Sequence, residues 1–294
     1  MTTYVHLKSK LDHTQVEHAF SNQLPDDTSY DLIVRGDAVV YGPDGRKIVQ
    51  VVANAIPEDV WQGAKKALHG LKSKKTDNRV AYGGSVTVND ITKVDGTISN
   101  QTRGPKVSSV IIGYYDRRSR HPFCRETAFT ANEVEKWKTV VPLAKVVGDV
   151  YRRTCPEHVK TNDEACAKMD PAWVIADTPF TTMTVNNTVQ SGCHYDAGDM
   201  DGAMTCLSVI RMGSWTGHYL VMPEYRVAID IQNGDVCMTD VRNCLHGNTA
   251  MVPLGGSDEP CERISVVYYM RTGMLDCGSP AEERIRAARL RGGL

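Results

Sequence analysis

The second half of the chain is divided into short apolar runs, and this spacing constrains the fold more than any other feature of the sequence. From about Trp173 onward, β-branched and alternating segments are separated by Gly, Asn and Asp. The segments are TTMTVNNTV, MTCLSVIRM, HYLVMPEY, VAIDI, DVCMTD and RISVVYYMR. Many short strands at this spacing predict a β-sandwich or a β-barrel.

Two segments with helical spacing precede these strands. The apolar residues of PEDVWQGAKKALHGLK, which begins at Pro57, fall on one side of a helix. The segment ANEVEKWKTVVPLAKVVGDVYRR, from Ala131, predicts a longer helix that is interrupted near Pro142. We expect both helices to flank the core. The C-terminal tail EERIRAARLRGG predicts a short basic helix that either caps the barrel or contacts a phosphate.

The sequence gives no sign of secretion or of a membrane span. The first residues, MTTYVHLKSKLDH, lack the apolar run of a signal peptide, and no window approaches the roughly 20 apolar residues of a membrane-spanning helix. We therefore expect a soluble protein without membrane contacts, in the cytoplasm or the nucleus. Nine cysteines are scattered singly without a C-x-x-C pair, and their odd number favours free, reduced thiols over a disulfide framework.

Basic residues are concentrated in one part of the chain, although the net charge is only −1. Between Lys65 and Arg125 there are 13 basic and four acidic residues. A local basic surface of this kind can hold a polyanion such as DNA. It can equally be a solvated face whose acidic partners come from elsewhere in the fold, and the sequence leaves both interpretations open.

A candidate metal site lies in the stretch SGCHYDAGD, residues 191–199. On an extended strand, side chains two positions apart point the same way, so His194 and Asp196 can converge while Tyr195 faces the opposite side. His246, in DVRNCLHGNT, offers a third ligand. Two histidines and one carboxylate form the facial triad of non-haem Fe(II) oxygenases, whereas zinc more often completes a closed tetrahedron. A His-x-Asp pair alone also arises by chance in surface turns.

Arg263 strengthens the metal hypothesis. It begins the strand RISVVYYMR, and Ser265 lies two residues later on the same face. A guanidinium with a neighbouring hydroxyl can bind a carboxylate bidentately, as the distal end of 2-oxoglutarate requires. The alternative is that Arg263 forms a structural ion pair.

Four blocks of the sequence carry a family resemblance. They are SSVIIGYYDRRSRHPFCRETAF (108–129), NNTVQSGCHYDAGDMDGAMTCLSVI (186–210), GHYLVMPEYRVAIDIQNGDVCMTDVRNCLHGN (217–248) and ERISVVYYMR (262–271). Over roughly residues 80–272 the chain resembles the TET/JBP branch of the 2-oxoglutarate- and Fe(II)-dependent dioxygenases, which oxidise the methyl group of 5-methylcytosine or thymine in DNA. The first 80 residues match no family that we can name.

The resemblance implies a mainly β protein with flanking helices (α+β) and a double-stranded β-helix core of the jelly-roll or cupin type. Residues 1–80 would be an N-terminal elaboration packed on the core, and residues 81–294 the dioxygenase domain. Fe(II) would be held by His194, Asp196 and His246. The co-substrates would be O2 and 2-oxoglutarate, with Arg263 and Ser265 on the far carboxylate. Asn187 would either reach the near end of 2-oxoglutarate or pack at a strand edge.

The resemblance also implies residues that contact a base. Asp199 falls where relatives acting on 5-methylcytosine contact the exocyclic amine, and a carboxylate accepts from that amine but repels the O4 acceptor of thymine. Tyr269 matches an aromatic residue that stacks on the flipped base. Arg271 stands where close relatives carry a His, and it can only donate, to O2 and N3 of cytosine or to a phosphate. The alternatives are a turn cap for Asp199 and ordinary strand core for Tyr269.

The sequence therefore predicts a dioxygenase that oxidises 5-methylcytosine in DNA to 5-hydroxymethylcytosine, with further oxidation left open. The base would have to be flipped out of the duplex, and the basic segment 65–125 would hold phosphates. Two alternatives are a thymine hydroxylase of the same family and a non-catalytic DNA-binding module, against which the intact triad and Arg263 argue. The sequence does not indicate an oligomeric state.

Overall fold

The computed structural model describes residues 1–71, 108–119, 121–255 and 260–290 in full and the backbone of residues 86–92 and 98–103. Within these ranges the chain forms the helices α1 His13–Phe20, α2 Glu58–Leu68, α3 Ala128–Asn132, α4 Val134–Thr154, α5 Pro156–Cys166 and α6 Pro280–Leu290. The strands are β1 Thr3–His6, β2 Leu32–Arg35, β3 Ala38–Tyr41, β4 Lys47–Val52, β5 Val86–Thr92, β6 Ile98–Arg103, β7 Ser108–Tyr115, β8 Arg125–Glu126, β9 Thr182–Asn187, β10 Thr205–Met212, β11 Trp215–Gly217, β12 Leu220–Met222, β13 Val227–Asp230, β14 Val236–Thr239, β15 Gly247–Asn248, β16 Met251–Pro253 and β17 Glu262–Tyr269.

Two sheets pack against each other. The larger sheet has the order β1-β3-β4-β14-β10-β17-β9-β7-β8, and the smaller sheet has the order β15-β12-β13-β2. One apolar cluster joins them: Val34 and Ile229 from the smaller sheet pack with Val40, Leu207 and Val209 from the larger one. This pair of facing sheets, with helices on the outside, confirms the predicted mainly β fold with a double-stranded β-helix core.

The alternation of side chains along β17 separates the core from the space between the sheets. Ile264, Val266 and Tyr268 belong to the cluster that the larger sheet forms with helix α4, through residues such as Leu143 and Val147. The intervening residues of β17 point to the other face of the sheet. Burial of each large apolar side chain stabilises the fold by about 1.5–3 kcal/mol, so the outer face anchors the sheet and leaves its inner face available for polar residues.

The N-terminal residues are built into both sheets. Strands β1, β3 and β4 belong to the larger sheet, where β4 pairs with β14. Strand β2 pairs in parallel with β13 in the smaller sheet. The proposed boundary near residue 80 falls outside the described residues, and the division into an elaboration and a dioxygenase domain stays a prediction. In the described ranges no helix is both long and apolar enough to cross a bilayer.

Helix α4 corrects one prediction. It runs without a break from Val134 to Thr154, with Pro142 inside it. Proline removes one backbone hydrogen bond and usually kinks or ends a helix. Here Val140 and Leu143, on either side of the exposed Pro142, are buried against the sheet. Packing of the apolar face therefore keeps the segment helical on both sides of Pro142, and the predicted interruption was wrong.

The cysteines correct another prediction. Cys124 and Cys277 form a disulfide across 153 residues of sequence. The other seven cysteines are free thiols, as predicted. The bridge joins the residue before β8 to the segment that follows β17. Both partners are isolated in the sequence, so only the fold brings their Cα atoms to 5.8 Å.

Helix α6, which matches the predicted basic tail helix, is anchored next to this disulfide. The carboxylate of Glu283 is buried and accepts hydrogen bonds from the backbone N–H of Cys124, at 2.8 Å, and of Gly278, at 3.0 Å. It also forms an ion pair with Arg117. The helix thus holds the segment before β8 in place.

Replacing Pro142 tests how much strain α4 carries. We expect Pro142→Ala to raise the free energy of unfolding by about 1–3 kcal/mol, because alanine restores the missing backbone hydrogen bond. Urea denaturation followed by circular dichroism measures this change. The exposed Thr139→Ala on the same helix is the control, with an expected change below about 0.7 kcal/mol. A destabilised Pro142→Ala variant would show that the proline is required.

Candidate active site

A cavity of about 120 Å³ opens between the two sheets. Eight of the nine site residues predicted from the sequence line it. They are His194, Asp196, His246, Arg263, Ser265, Asp199, Tyr269 and Arg271. Residues far apart in the chain therefore meet in one place, as the site hypothesis requires.

The two histidines are brought together by their own backbones. The N–H of His194 donates to the carbonyl oxygen of His246 at 2.9 Å, and the reverse bond measures 3.1 Å. Gly247 permits this approach, because a Cβ there would lie 2.9 Å from the carbonyl oxygen of Ser191. The oxygens of Asp196 lie 3.7 Å from Nε2 of His194 and 3.8 Å from Nε2 of His246.

Hydrogen bonds fix the tautomers of both imidazoles. Nδ1 of His194 lies 2.8 Å from the carbonyl oxygen of Gly192, and Nδ1 of His246 lies 3.2 Å from that of Cys244. A carbonyl only accepts, so each Nδ1 carries the proton and each Nε2 presents its lone pair toward Asp196. Burial, together with the neighbouring His194, lowers the pKa of His246 to about 4, which keeps this ring neutral at neutral pH.

These three residues fit a divalent metal. One ligand atom from each lies within 4.8 Å of the others. Two atoms that each bind one ion at about 2.1 Å can be at most about 4.2 Å apart, so small side-chain shifts suffice to close the site. Two imidazoles and one carboxylate on one side of an ion match the donor set of non-haem Fe(II) oxygenases.

Arg263 is a buried cation that faces the same cavity. It is only 4% exposed, and in the described part of the chain its guanidinium has neither a carboxylate within ion-pair distance nor a hydrogen-bond acceptor. Burial and the nearby Arg211 lower its pKa to about 9, so it stays charged at neutral pH. A buried charge without a close partner is costly, so this position is a candidate binding site for an anion.

Further hydroxyl and amide groups line the cavity with Arg263. Ser265 lines the cavity on the same strand, and Asn186 lies directly opposite it on β9. The buried hydroxyl of Thr239 also lines the cavity and has no hydrogen-bond partner among the described residues. The sequence analysis missed Thr239 and Asn186, although the two-residue period of β9 and β14 could have indicated which residues face inward.

The structure corrects the prediction that Asn187, the ninth predicted site residue, contacts 2-oxoglutarate. Its side-chain amide donates to Glu262 at 3.2 Å, and its side-chain oxygen accepts from Thr188 at 2.8 Å. It does not line the cavity, whereas the adjacent Asn186 does. Because neighbours on a strand face opposite sides, a shift by one residue placed the predicted 2-oxoglutarate contact on the wrong side of the sheet.

Asp199 and Tyr269 are buried in the cavity wall with fixed orientations. The hydroxyl of Thr205 donates to Oδ2 of Asp199 at 2.8 Å, and the backbone N–H of Asp199 donates to the carbonyl oxygen of Asp196 at 3.0 Å. The phenol oxygen of Tyr269 lies 2.9 Å from the hydroxyl of Thr184. Asp199 thus closes a turn through its backbone while its carboxylate stays in the cavity.

Arg271 is clamped from three sides. Its Nε donates to Oδ1 of Asp116 at 3.1 Å, and its guanidinium carbon lies 5.4 Å from the ring centroid of Tyr115. On a third side it lies against Gly198, where a Cβ would clash with a guanidinium nitrogen. The sequence analysis missed Tyr115, Asp116 and Gly198, because the partners of Arg271 come from distant segments.

The structure describes the side chains of only part of the basic segment 65–125. Lys65 and Lys66 lie on α2, and Arg117 pairs with Glu283. Arg118 and Arg125 lie near Tyr115. The side chains of the remaining basic residues of this segment fall outside the described part, so its predicted role in holding DNA stays a prediction. The basic residues whose side chains fall outside the described part are Lys72, Lys74, Lys75, Arg79, Lys93, Arg103, Lys106 and Arg120.

Substitutions inside and outside the triad should show which residues of the cavity bind the metal. We expect His194→Ala to weaken Fe(II) binding by at least about 100-fold, because it removes one of three ligands. Asp199→Ala should leave Fe(II) affinity unchanged, since Asp199 lies outside the triad. Anaerobic calorimetric titration with Fe(II) measures both. Equal loss of metal from the two variants would contradict this division of roles.

Two curated proteins that the chain resembles are named as thymine dioxygenases. Thymine dioxygenase JBP1 of Crithidia fasciculata is 32% identical over 192 residues, which are 65% of this chain and 23% of that protein. The bifunctional helicase and thymine dioxygenase JBP2 of Trypanosoma brucei brucei is 28% identical over 261 residues, which are 86% of this chain and 21% of that protein. The chain therefore spans less than a quarter of the length of these relatives.

A solved structure shares the fold over nearly the whole chain. It is NgTET1 in complex with 5mC DNA, which aligns with a TM-score of 0.60 at 14% sequence identity and covers 93% of this chain and 95% of that one. The likeness supports the double-stranded β-helix architecture described above.

A family model connects the fold with the site. The Tet_JBP model, described as the oxygenase domain of the 2OGFeDO superfamily, matches residues 110–272, more than half of the chain. The match contains all three candidate metal ligands and Arg263. It confirms the family resemblance, with Fe(II), 2-oxoglutarate and O2 as the predicted cofactor and co-substrates. The chain belongs to the TET/JBP family of 2-oxoglutarate- and Fe(II)-dependent dioxygenases.

Proposed function

We propose that this protein oxidises the 5-methyl group of a pyrimidine base in DNA. The observation that carries the proposal is that one cavity joins three elements. These are the candidate metal triad, the buried cation Arg263 and a wall formed by Asp199, Tyr269 and Arg271. A diacid co-substrate and a planar base can therefore occupy opposite sides of one metal centre.

The residues that line the cavity have different roles in the proposed reaction. When bound, Fe(II) supplies the oxidising chemistry that couples decarboxylation of 2-oxoglutarate to oxidation of a methyl group. Arg263 and Ser265 hold the far carboxylate, which orients the co-substrate toward the triad. Apolar side chains such as Leu207 and Val267 line the same cavity and exclude water from it.

A base can reach this cavity only after it leaves the duplex, since its methyl group is otherwise stacked between neighbours. Tyr269 provides a stacking surface whose orientation is fixed by the hydrogen bond with Thr184. Stacking of a base on an aromatic ring is worth about 1–3 kcal/mol, which offsets part of the cost of extrusion.

The carboxylate of Asp199 favours 5-methylcytosine as the base. The bond from Thr205 holds its orientation, so Asp199 is placed to accept from the exocyclic amine of cytosine. Thymine has a carbonyl oxygen at that position, which a carboxylate repels.

Thymine is a second candidate, supported by two observations. Relatives at 28–32% identity are named thymine dioxygenases. In addition, the clamped guanidinium of Arg271 can donate to a carbonyl oxygen such as O4 of thymine. Oxidation of either base would use the same metal site and the same diacid site. The two proposals differ only in how Asp199, Tyr269 and Arg271 contact the base.

Nucleoside mass spectrometry distinguishes the two bases. Incubation with Fe(II), 2-oxoglutarate and DNA containing both 5-methylcytosine and thymine should yield oxidised 5-methylcytosine. We expect Asp199→Ala to lower kcat/KM for that base about 10- to 100-fold, the effect of losing one hydrogen bond to a charged group. Asp201→Ala, which removes a neighbouring exposed carboxylate, is the control and should be without effect. Oxidation of thymine alone would favour the second candidate, and oxidation of neither base would refute the proposed function.

Arg263 provides an independent test of the diacid site. We expect Arg263→Gln to raise the Kd for 2-oxoglutarate at least about 30-fold, because a buried, charge-assisted bidentate contact is lost. Ser265→Ala should have a smaller effect, since it removes one neutral hydrogen bond. Calorimetric titration of each protein with 2-oxoglutarate and Mn(II) measures this without turnover. An unchanged Kd in Arg263→Gln would place the diacid elsewhere.

A further inference from the structure

Three guanidinium groups surround one tyrosine ring at the edge of the cavity. The guanidinium carbons of Arg118, Arg125 and Arg271 lie 5.5, 5.4 and 5.4 Å from the ring centroid of Tyr115. With the carboxylate of Asp116 they form a group that we call the Tyr115 cluster. Each distance is within the range of a cation–π interaction, so a single ring stabilises three like charges.

The charges of the cluster do not balance within the described part of the chain. Asp116 pairs with Arg271 at 3.1 Å and with Arg118 at 3.2 Å. Arg125 has no carboxylate within ion-pair distance there, and its weak hydrogen bond, 3.5 Å long, goes to the backbone oxygen of Asp116. Three cations thus share one anion.

Arg125 is the arginine of the cluster whose guanidinium would gain most from an additional anionic partner. Its side chain is partly buried, and this burial lowers the pKa of the guanidinium. A desolvated cation with one poor acceptor is costly, and an entering anion would remove that cost. The planar guanidinium fork matches phosphate oxygens, so phosphate is the anion that such a group recognises best.

The position of the cluster relates it to the cavity. Tyr115 and Arg271 line the cavity wall, whereas the side chain of Arg118 is 42% exposed. The cluster therefore runs from the base-reading wall out to solvent. A nucleotide whose base enters the cavity past this edge would leave its flanking phosphates beside the cluster.

We propose that Arg118 and Arg125 form a binding site for a DNA phosphate that flanks the extruded nucleotide. The inference rests on the proposed function, since it takes DNA as the substrate. Asp116 and Tyr115 hold the arginines apart from the base, and Arg271 remains the member of the cluster that faces the cavity. Phosphate contacts fix the register of the nucleic acid without reading its sequence, so the site serves any base that the cavity accepts.

The test is the salt dependence of DNA affinity. A fluorescein-labelled duplex with one 5-methylcytosine is titrated with Arg118→Gln, Arg125→Gln and the wild type at several salt concentrations, and anisotropy gives Kd. Each phosphate contact that is lost should lower the slope of log Kd against log salt by about 0.9. Arg118→Lys and Arg125→Lys keep a point charge and should retain most of that slope. Arg153→Gln, on the exposed side of α4, is the charge-matched control and should leave the slope unchanged.

Two further measurements distinguish the loss of a phosphate contact from damage to the fold. The Kd for 2-oxoglutarate and the melting temperature should stay at wild-type values in the glutamine variants. Weaker DNA binding with an unchanged salt slope, or slopes equal to that of Arg153→Gln, would overturn the proposal. If Arg125→Gln fails to fold, the more exposed Arg118→Gln and the two lysine variants decide the same question.

The proposed function can fail independently of this site. If the salt slope falls in the variants but the wild type oxidises neither base, the phosphate site stands and the reaction is wrong. If the wild type oxidises a methylated base but the slopes are unchanged, the reaction stands and the Tyr115 cluster is structural.

Discussion

The pair of backbone hydrogen bonds between His194 and His246 is the constraint on which the rest of the site depends. It joins two segments that are distant in sequence and sets the separation of their imidazole rings. The carbonyl groups of Gly192 and Cys244 then determine which nitrogen of each ring carries a proton. The positions of the candidate metal ligands therefore follow from backbone geometry, and the side chains would need little adjustment to close around an ion.

Strand β17 contributes side chains both to the hydrophobic core and to the cavity. One face of β17 contributes Ile264, Val266 and Tyr268 to the core beneath the helices, and the opposite face contributes Arg263, Ser265 and Tyr269 to the cavity. Core packing holds the strand in one register, and this register places a cation, a hydroxyl and an aromatic ring at fixed intervals. A slip of one residue would exchange the two sets and destroy both the core and the site.

Local patterns predicted the fold class, the metal ligands and Arg263, because strand periodicity and ligand spacing are properties of short stretches of sequence. Asn187 failed by a single position, since alternation decides the facing side only once the register is known. The disulfide and the clamp around Arg271 depend on contacts between remote segments, which no local pattern encodes. The unbroken helix through Pro142 shows tertiary packing overriding an intrinsic backbone preference.

The Cys124–Cys277 bridge has a practical consequence for work with this enzyme. It connects the residue before β8, which begins at Arg125, to the segment that follows Arg271, so it braces both ends of the Tyr115 cluster. Ferrous ion must be protected from air, and thiol reagents are a common means of doing so. Such reagents exchange with disulfides, whereas a reductant that does not cleave disulfides would preserve the metal and leave this bridge intact.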